Sequence, residues 1–176
     1  MMKIEIIDNQ KVCGIKRRAV TSIALFFMKK ACGRRGITGW TDITFQFTDN
    51  ADIQEINKAV FRSDNITDVI SSTYNPIPGE QARLSGEIAI NVQLAFELTT
   101  AKHRAPTARR WTASDELALY IAHGCDHLSG EDDHGQTQRR RMRRRELRWM
   151  MEARRMGLLN DLITIREPRR NRMRKI

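Results

Sequence analysis

Three of the chain's four histidines, His123, His127 and His134, fall within twelve residues of one another. On a helix His123 and His127 leave the same face one turn apart, close enough to share one metal ion. Were that helix to run on, His134 would share the face but lie about 10 Å beyond His127, out of ligand range. The chain must therefore turn back after His127, and Gly130 is the residue that turns without the steric penalty of a Cβ. Helix, glycine stop and return loop deliver a third imidazole and leave a fourth position for water, the open arrangement of a catalytic ion. Three neutral nitrogens leave such an ion its full charge, enough to generate a water-derived nucleophile near neutral pH. The residue after the first histidine, where HExxH proteases keep their general base, is Gly124, which discourages a peptidase. Asp126 lies about 60° around the helix from His123, beside the ligand face, where it is expected to orient a ligand or accept a proton.

These residues need a scaffold, and the periodicity supplies an α/β one. Strands are expected at Lys3–Ile7, Ile43–Phe47, Thr67–Ser71 and Gly86–Ile90, making a small mixed sheet of about four strands. Helices are expected from about Arg17 to Ala31, ended by Gly33, and after a cap at Asp49 or Asn50, with Ile53, Ile56 and Val60 on one face. A further helix runs from about Val92 to Lys102, and the histidine helix from an N-cap at Ser114 to about Ser129. A last helix spans about Gln138 to Met156, with Met142, Glu146, Trp149, Met150, Ala153 and Met156 on one side. Met151 is also expected to pack this helix down, and Asn75–Gly79 reads as a surface loop.

Length and charge narrow the class. With 176 residues the chain is expected to form one domain over residues 1–165, followed by a basic, mobile tail over 166–176. A net charge of +10, a pI near 10.2 and a mean hydropathy of −0.53 exclude a membrane-spanning protein and an acidic disordered one. Residues 1–136 carry 16 basic and 17 acidic side chains, whereas residues 137–176 carry 15 and 4. Arginine runs at 139–141 and 143–145 suit the phosphates of RNA, which bind such clusters by Coulomb attraction and counterion release. Trp40, Trp111 and Trp149 are weighed as stacking platforms for unpaired bases or as core. Cys13, Cys32 and Cys125 are an odd number without CxxC spacing, which fits a reducing cytoplasm. The apolar stretch Ala19–Met28 behind Lys16–Arg18 is read as an internal amphipathic helix and not as an export signal.

The string from His123 to His134, HGCDHLSGEDDH, resembles the HGxLHLxGxDH signature of the YbeY-type endoribonucleases. Asn57 to Ser71, with Thr67-Asp68-Val69-Ile70-Ser71, is similar to that family's TDVLSF segment, and Gly86–Ile90 to its GDIVI strand. The resemblance spans about residues 43–160 in the family's order. It implies a zincin-like fold, one zinc ion on His123, His127 and His134, and single-strand-specific RNA cleavage. The implied setting is 16S rRNA 3′-end maturation and ribosome quality control on the small ribosomal subunit in the cytoplasm, with no membrane partner. Four departures stand out. One extra residue separates Gly130 from His134, so Asp133 competes as third ligand; Asp126 replaces a leucine; Ser72 replaces a phenylalanine. The family's functional arginine aligns with Phe61, and Arg62 beside it is the candidate to hold the RNA strand. The competing reading is a non-catalytic RNA-binding assembly factor with a structural metal.

Overall fold

The computed structural model describes residues 2–74, 84–102, 111–159 and 161–165. In chain order these form β1 (Lys3–Asp8), β2 (Cys13–Ile15), α1 (Arg17–Arg35), β3 (Trp40–Thr48), α2 (Asn50–Phe61) and β4 (Val69–Tyr74). Then come β5 (Leu84–Asn91), α3 (Val92–Lys102), α4 (Ala113–Leu128), α5 (Gln136–Arg155) and β6 (Ile163–Ile165).

Ile43, Phe45 and Phe47 alternate with less buried neighbours along β3, the period of a strand with one face on a core. The sheet order is β1-β3-β5-β4, with β1, β3 and β5 parallel and β4 antiparallel on β5. The parallel neighbours require crossovers: α1 lies in the connection from β1 to β3, and α2 with β4 in that from β3 to β5. One sheet face packs Ile43, Phe45, Phe47, Ile88 and Ile90 into the main core with residues of α1 and α4. The other face joins Ile70 and Ala89 to Ile53 of α2. The expected mixed four-stranded sheet with packed helices is the fold observed. The pairing of β2 with β6 goes beyond that expectation, since three residues each carry too little periodicity to read.

Helix α4 is the hub. Every residue from Asp115 to Leu128 is buried except His123 and His127, which are partly exposed. It begins at Thr112, whose hydroxyl accepts from the Asp115 backbone N–H while the Asp115 carboxylate accepts from the Thr112 N–H. This reciprocal box displaces the expected cap at Ser114, whose Oγ instead accepts from the Leu162 N–H at 2.8 Å. Gly124 is where the helix meets the sheet: a Cβ there would stand 2.4 Å from Ile88 Cγ2. The Ser71 hydroxyl donates to the Gly124 carbonyl at 3.2 Å. The helix ends as expected, with Gly130 at φ +83°.

Other elements differ in detail from the sequence reading. Helix α1 runs through Gly33 to a left-handed stop at Gly36, φ 64°. Asp49 caps α2, accepting from the Ala51 and Asp52 N–H groups. On α5, Met142, Glu146, Trp149, Met150 and Ala153 are buried as expected, but Met151 and Met156 are exposed. Met151 falls off the buried stripe by one residue, and Met156 is the C-cap, where the stripe has ended. The loop expected at Asn75–Gly79 and the tail at 166–176 lie outside the described residues. Among the described residues, no helix is long and apolar enough to cross a membrane.

Candidate metal centre

His123, one of the two partly exposed histidines of α4, lines a cavity of about 460 Å³ together with Thr67, Asp68, Tyr120, Asp133 and Glu146. His123 and His127 approach each other Nε2 to Nε2 at 3.1 Å. The other ring nitrogen of each is already engaged. His123 Nδ1 lies 2.7 Å from Glu146 Oε1, and His127 Nδ1 lies 3.0 Å from the Glu131 carbonyl oxygen. Both acceptors lack a proton to give at neutral pH, so each Nδ1 carries the hydrogen and each Nε2 presents a lone pair. Two lone pairs converging at this distance can be shared by one cation, as in a metal site. The donor set thus fits a divalent ion such as zinc.

The return loop brings Asp133 to this pair: one ligand atom from each of His123, His127 and Asp133 lies within 4.8 Å of the others. The expected third ligand, His134, is turned away. Its side chain is 89% exposed, its Nδ1 lies 3.1 Å from Asp132 Oδ1, and its backbone N–H donates to the same carboxylate. The loop is one residue longer than the family signature, and in it Asp133 and not His134 stands near the histidine pair.

Asp126 was expected beside the ligands and instead lies behind them. It is completely buried, and its Oδ2 accepts from Arg145 Nε at 2.8 Å and Nη2 at 2.5 Å. Burial pushes its carboxyl up to about 6 in spite of that guanidinium, and its Oδ1 has no hydrogen-bond partner. Arg145 also reaches Glu131, which pairs with Arg34 and Arg35 as well. The hydrogen bond from Arg34 leads the causes that hold Glu131 down at about 2. This charged cluster anchors the start of the loop that carries Asp133. Arg62, the other expected catalytic residue, is the left-handed C-cap of α2 at φ 56° and does not line the cavity. Its segment does contribute Thr67 and Asp68 to the lining.

The two histidines are driven in opposite directions. Burial lowers the His123 pKa, but the hydrogen bond and charge of Glu146 outweigh it and the net shift is upward. His127 is lowered, first by burial and then by the charge of His123. Glu146 is the functional residue that sequence reasoning passed over. It is 1% exposed on the apolar face of α5, and a carboxylate on such a stripe was the signal. Glu146→Gln keeps shape and burial while making the acceptor neutral. Its metal affinity, measured by competition with a chromogenic chelator, should fall about 10- to 100-fold. An unchanged affinity would remove Glu146 from the site.

Of the tryptophans, Trp149 is buried in the core, and Trp111 donates its N–H to Glu116 at 2.5 Å. All three cysteines are buried.

The profile of the family described as Endoribonuclease YbeY matches residues 5–154. A protein named Endoribonuclease YbeY from Alkaliphilus metalliredigens is 27% identical over 89% of this chain and 97% of its own length. One of the same name from Rhodopirellula baltica is 34% identical over 56% of this chain, a match spanning 47% of that protein. The solution structure of a Thermotoga maritima protein superposes with a TM-score of 0.52 at 15% identity, covering 90% of this chain and 96% of that one, a likeness of fold. A profile match over residues 5–154, on a chain whose helix α4 carries a histidine pair with His123 lining a cavity, makes it a member of the endoribonuclease YbeY family.

Proposed function

We propose that this chain is a zinc-dependent endoribonuclease that cleaves single-stranded RNA, acting in 16S rRNA 3′-end maturation on the small ribosomal subunit in the cytoplasm. The observation that carries the reading is the convergence of the His123 and His127 Nε2 atoms at 3.1 Å, with both Nδ1 atoms engaged by fixed acceptors. Family membership supplies the reaction class.

A divalent ion held there would supply Lewis acidity and an activated water for phosphodiester hydrolysis. His123 and His127 hold it, and Asp133 is the third ligand by its nearness to both. His134 as third ligand is the second reading, favoured by the resemblance of the string to the family signature. Glu146 and the Glu131 carbonyl keep the two imidazoles in the tautomer that can ligate. Asp126 is a positioning residue acting through Arg145 on the loop, and Arg62 takes the strand outside the cavity.

Removal of the metal is the test. Dialysis against a chelator should abolish cleavage of a single-stranded RNA oligonucleotide, and one equivalent of zinc should restore it. Salt-sensitive RNA binding should persist throughout, because the arginines carry most of that charge. In the same assay Asp133→Ala should lose the ion and His134→Ala keep it; the reverse would establish His134 as the ligand. Cleavage that survives complete metal removal would overturn the proposal, and a folded, zinc-loaded protein without cleavage would favour the assembly-factor reading.

A further inference from the structure

The metal cavity is not isolated. A second cavity of about 380 Å³ adjoins it, with Ile66, Leu94 and Leu98 in its lining. Four residues line both: Thr67, Asp68, Tyr120 and Arg143. Together they form a groove that starts at His123 and ends at Ile66, Leu94, Leu98 and Glu116.

The carboxylates of Asp68, Asp133 and Glu146 line its metal end. Even with a divalent ion there, a phosphodiester entering among three acids needs further positive charge. Most arginines of α5 cannot give it. Arg145 is committed to Asp126 and Glu131, Arg154 to Asp115, and Arg139 to Asp133. Arg140, Arg141, Arg144 and Arg148 do not line either cavity. Arg143 lines both, is exposed, and makes no ion pair among the described residues. Beside it Tyr120 is 4% exposed, and the carboxylate of Glu116 acts on its hydroxyl. An exposed guanidinium with no ion-pair partner among the described residues, on the lining that both cavities share, is what an incoming phosphate oxygen would satisfy.

We propose that Arg143 is the phosphate-binding residue of this groove, and that a single RNA strand crosses it in passing from the metal cavity to the second one. The proposal rests on the endoribonuclease reading and adds to it the residue and the path. One strand sets a phosphate on the guanidinium and a base against Ile66, Leu94 and Leu98.

The test compares Arg143→Ala with Arg18→Ala, an exposed arginine of α1 that lies outside the arginine runs and lines neither cavity. Both are made in the full chain loaded with zinc, with zinc content and melting temperature measured alongside. Cleavage of a single-stranded RNA oligonucleotide, as kcat/KM, should fall about 10- to 100-fold for Arg143→Ala, the weight of a charge-assisted phosphate contact, and less than about threefold for Arg18→Ala. Arg143→Lys should recover part of the loss. Equal effects of the two alanine variants would overturn the proposal while leaving the wild-type activity intact. Should wild type not cleave, so that the endoribonuclease reading itself fails, affinity for the same oligonucleotide still decides the path. A weakening specific to Arg143→Ala supports the groove, and equal weakening refutes it.

Discussion

His123→Ala is expected to cleave single-stranded RNA at least about a thousandfold more slowly than wild type, beyond the 10- to 100-fold that loss of an outer partner of a metal ligand costs. Two functions end with the one side chain. The Nε2 that faces His127 is gone, so the proposed ion loses one of its two ligands from α4. The donor to Glu146 is gone as well, which leaves a nearly fully buried carboxylate without its nearest partner. The second loss is structural and is expected to cost about 1–3 kcal/mol of stability. Circular dichroism and a melting curve therefore accompany the assay, with zinc content determined by mass spectrometry. The expected pattern is a folded protein with less than one equivalent of zinc, no cleavage, and RNA binding near the wild-type level. Cleavage at the wild-type rate would end the metal-centred account.

What the sequence made legible follows from how local each signal is. The His123/His127 pair depends only on helical spacing, and α4 runs straight through both. The glycine stop is likewise a one-residue property, and Gly130 has the left-handed backbone it implies. The sheet was readable because β3 alternates Ile43, Phe45 and Phe47 with less buried neighbours. The third ligand depends on the path of an irregular loop that carries one inserted residue, and composition cannot track that path. Asp126 was the harder case. Helical geometry located its direction well, but only packing reveals that α5 lies there and offers Arg145. Within the arginine runs, the committed Arg145 and the uncommitted Arg143 are two residues apart and look alike in a string. Their roles separate only when the helix is rotated onto α4. Arg62 takes its left-handed conformation from ending α2, a role that its place beside the family's arginine column did not announce.

The largest stability effect is expected from Arg145→Ala. Arg145 donates twice to Asp126, a completely buried carboxylate, and once to Glu131 at 3.1 Å. Removing it strands the Asp126 charge in the core, where Oδ1 already has no partner. Breaking a buried pair from one side costs about 3–5 kcal/mol, which should appear as a lower urea midpoint with an unchanged slope. The damage should reach the site, since Glu131 starts the loop that carries Asp133 and its carbonyl holds His127. Zinc affinity should therefore fall together with stability. Removing both charges is a different experiment. In Asp126→Leu/Arg145→Met the leucine restores the residue usual in the family signature, and the methionine keeps most of the arginine stem beside Trp149. Because a buried ion pair seldom beats a well-packed apolar pair, the double variant should return to within about 1 kcal/mol of wild type or exceed it. Zinc affinity should recover only in part, since Glu131 then keeps Arg34 and Arg35 but not Arg145. Were the double variant as unstable as Arg145→Ala, the penalty would lie in lost packing around α5 and not in an unpaired charge.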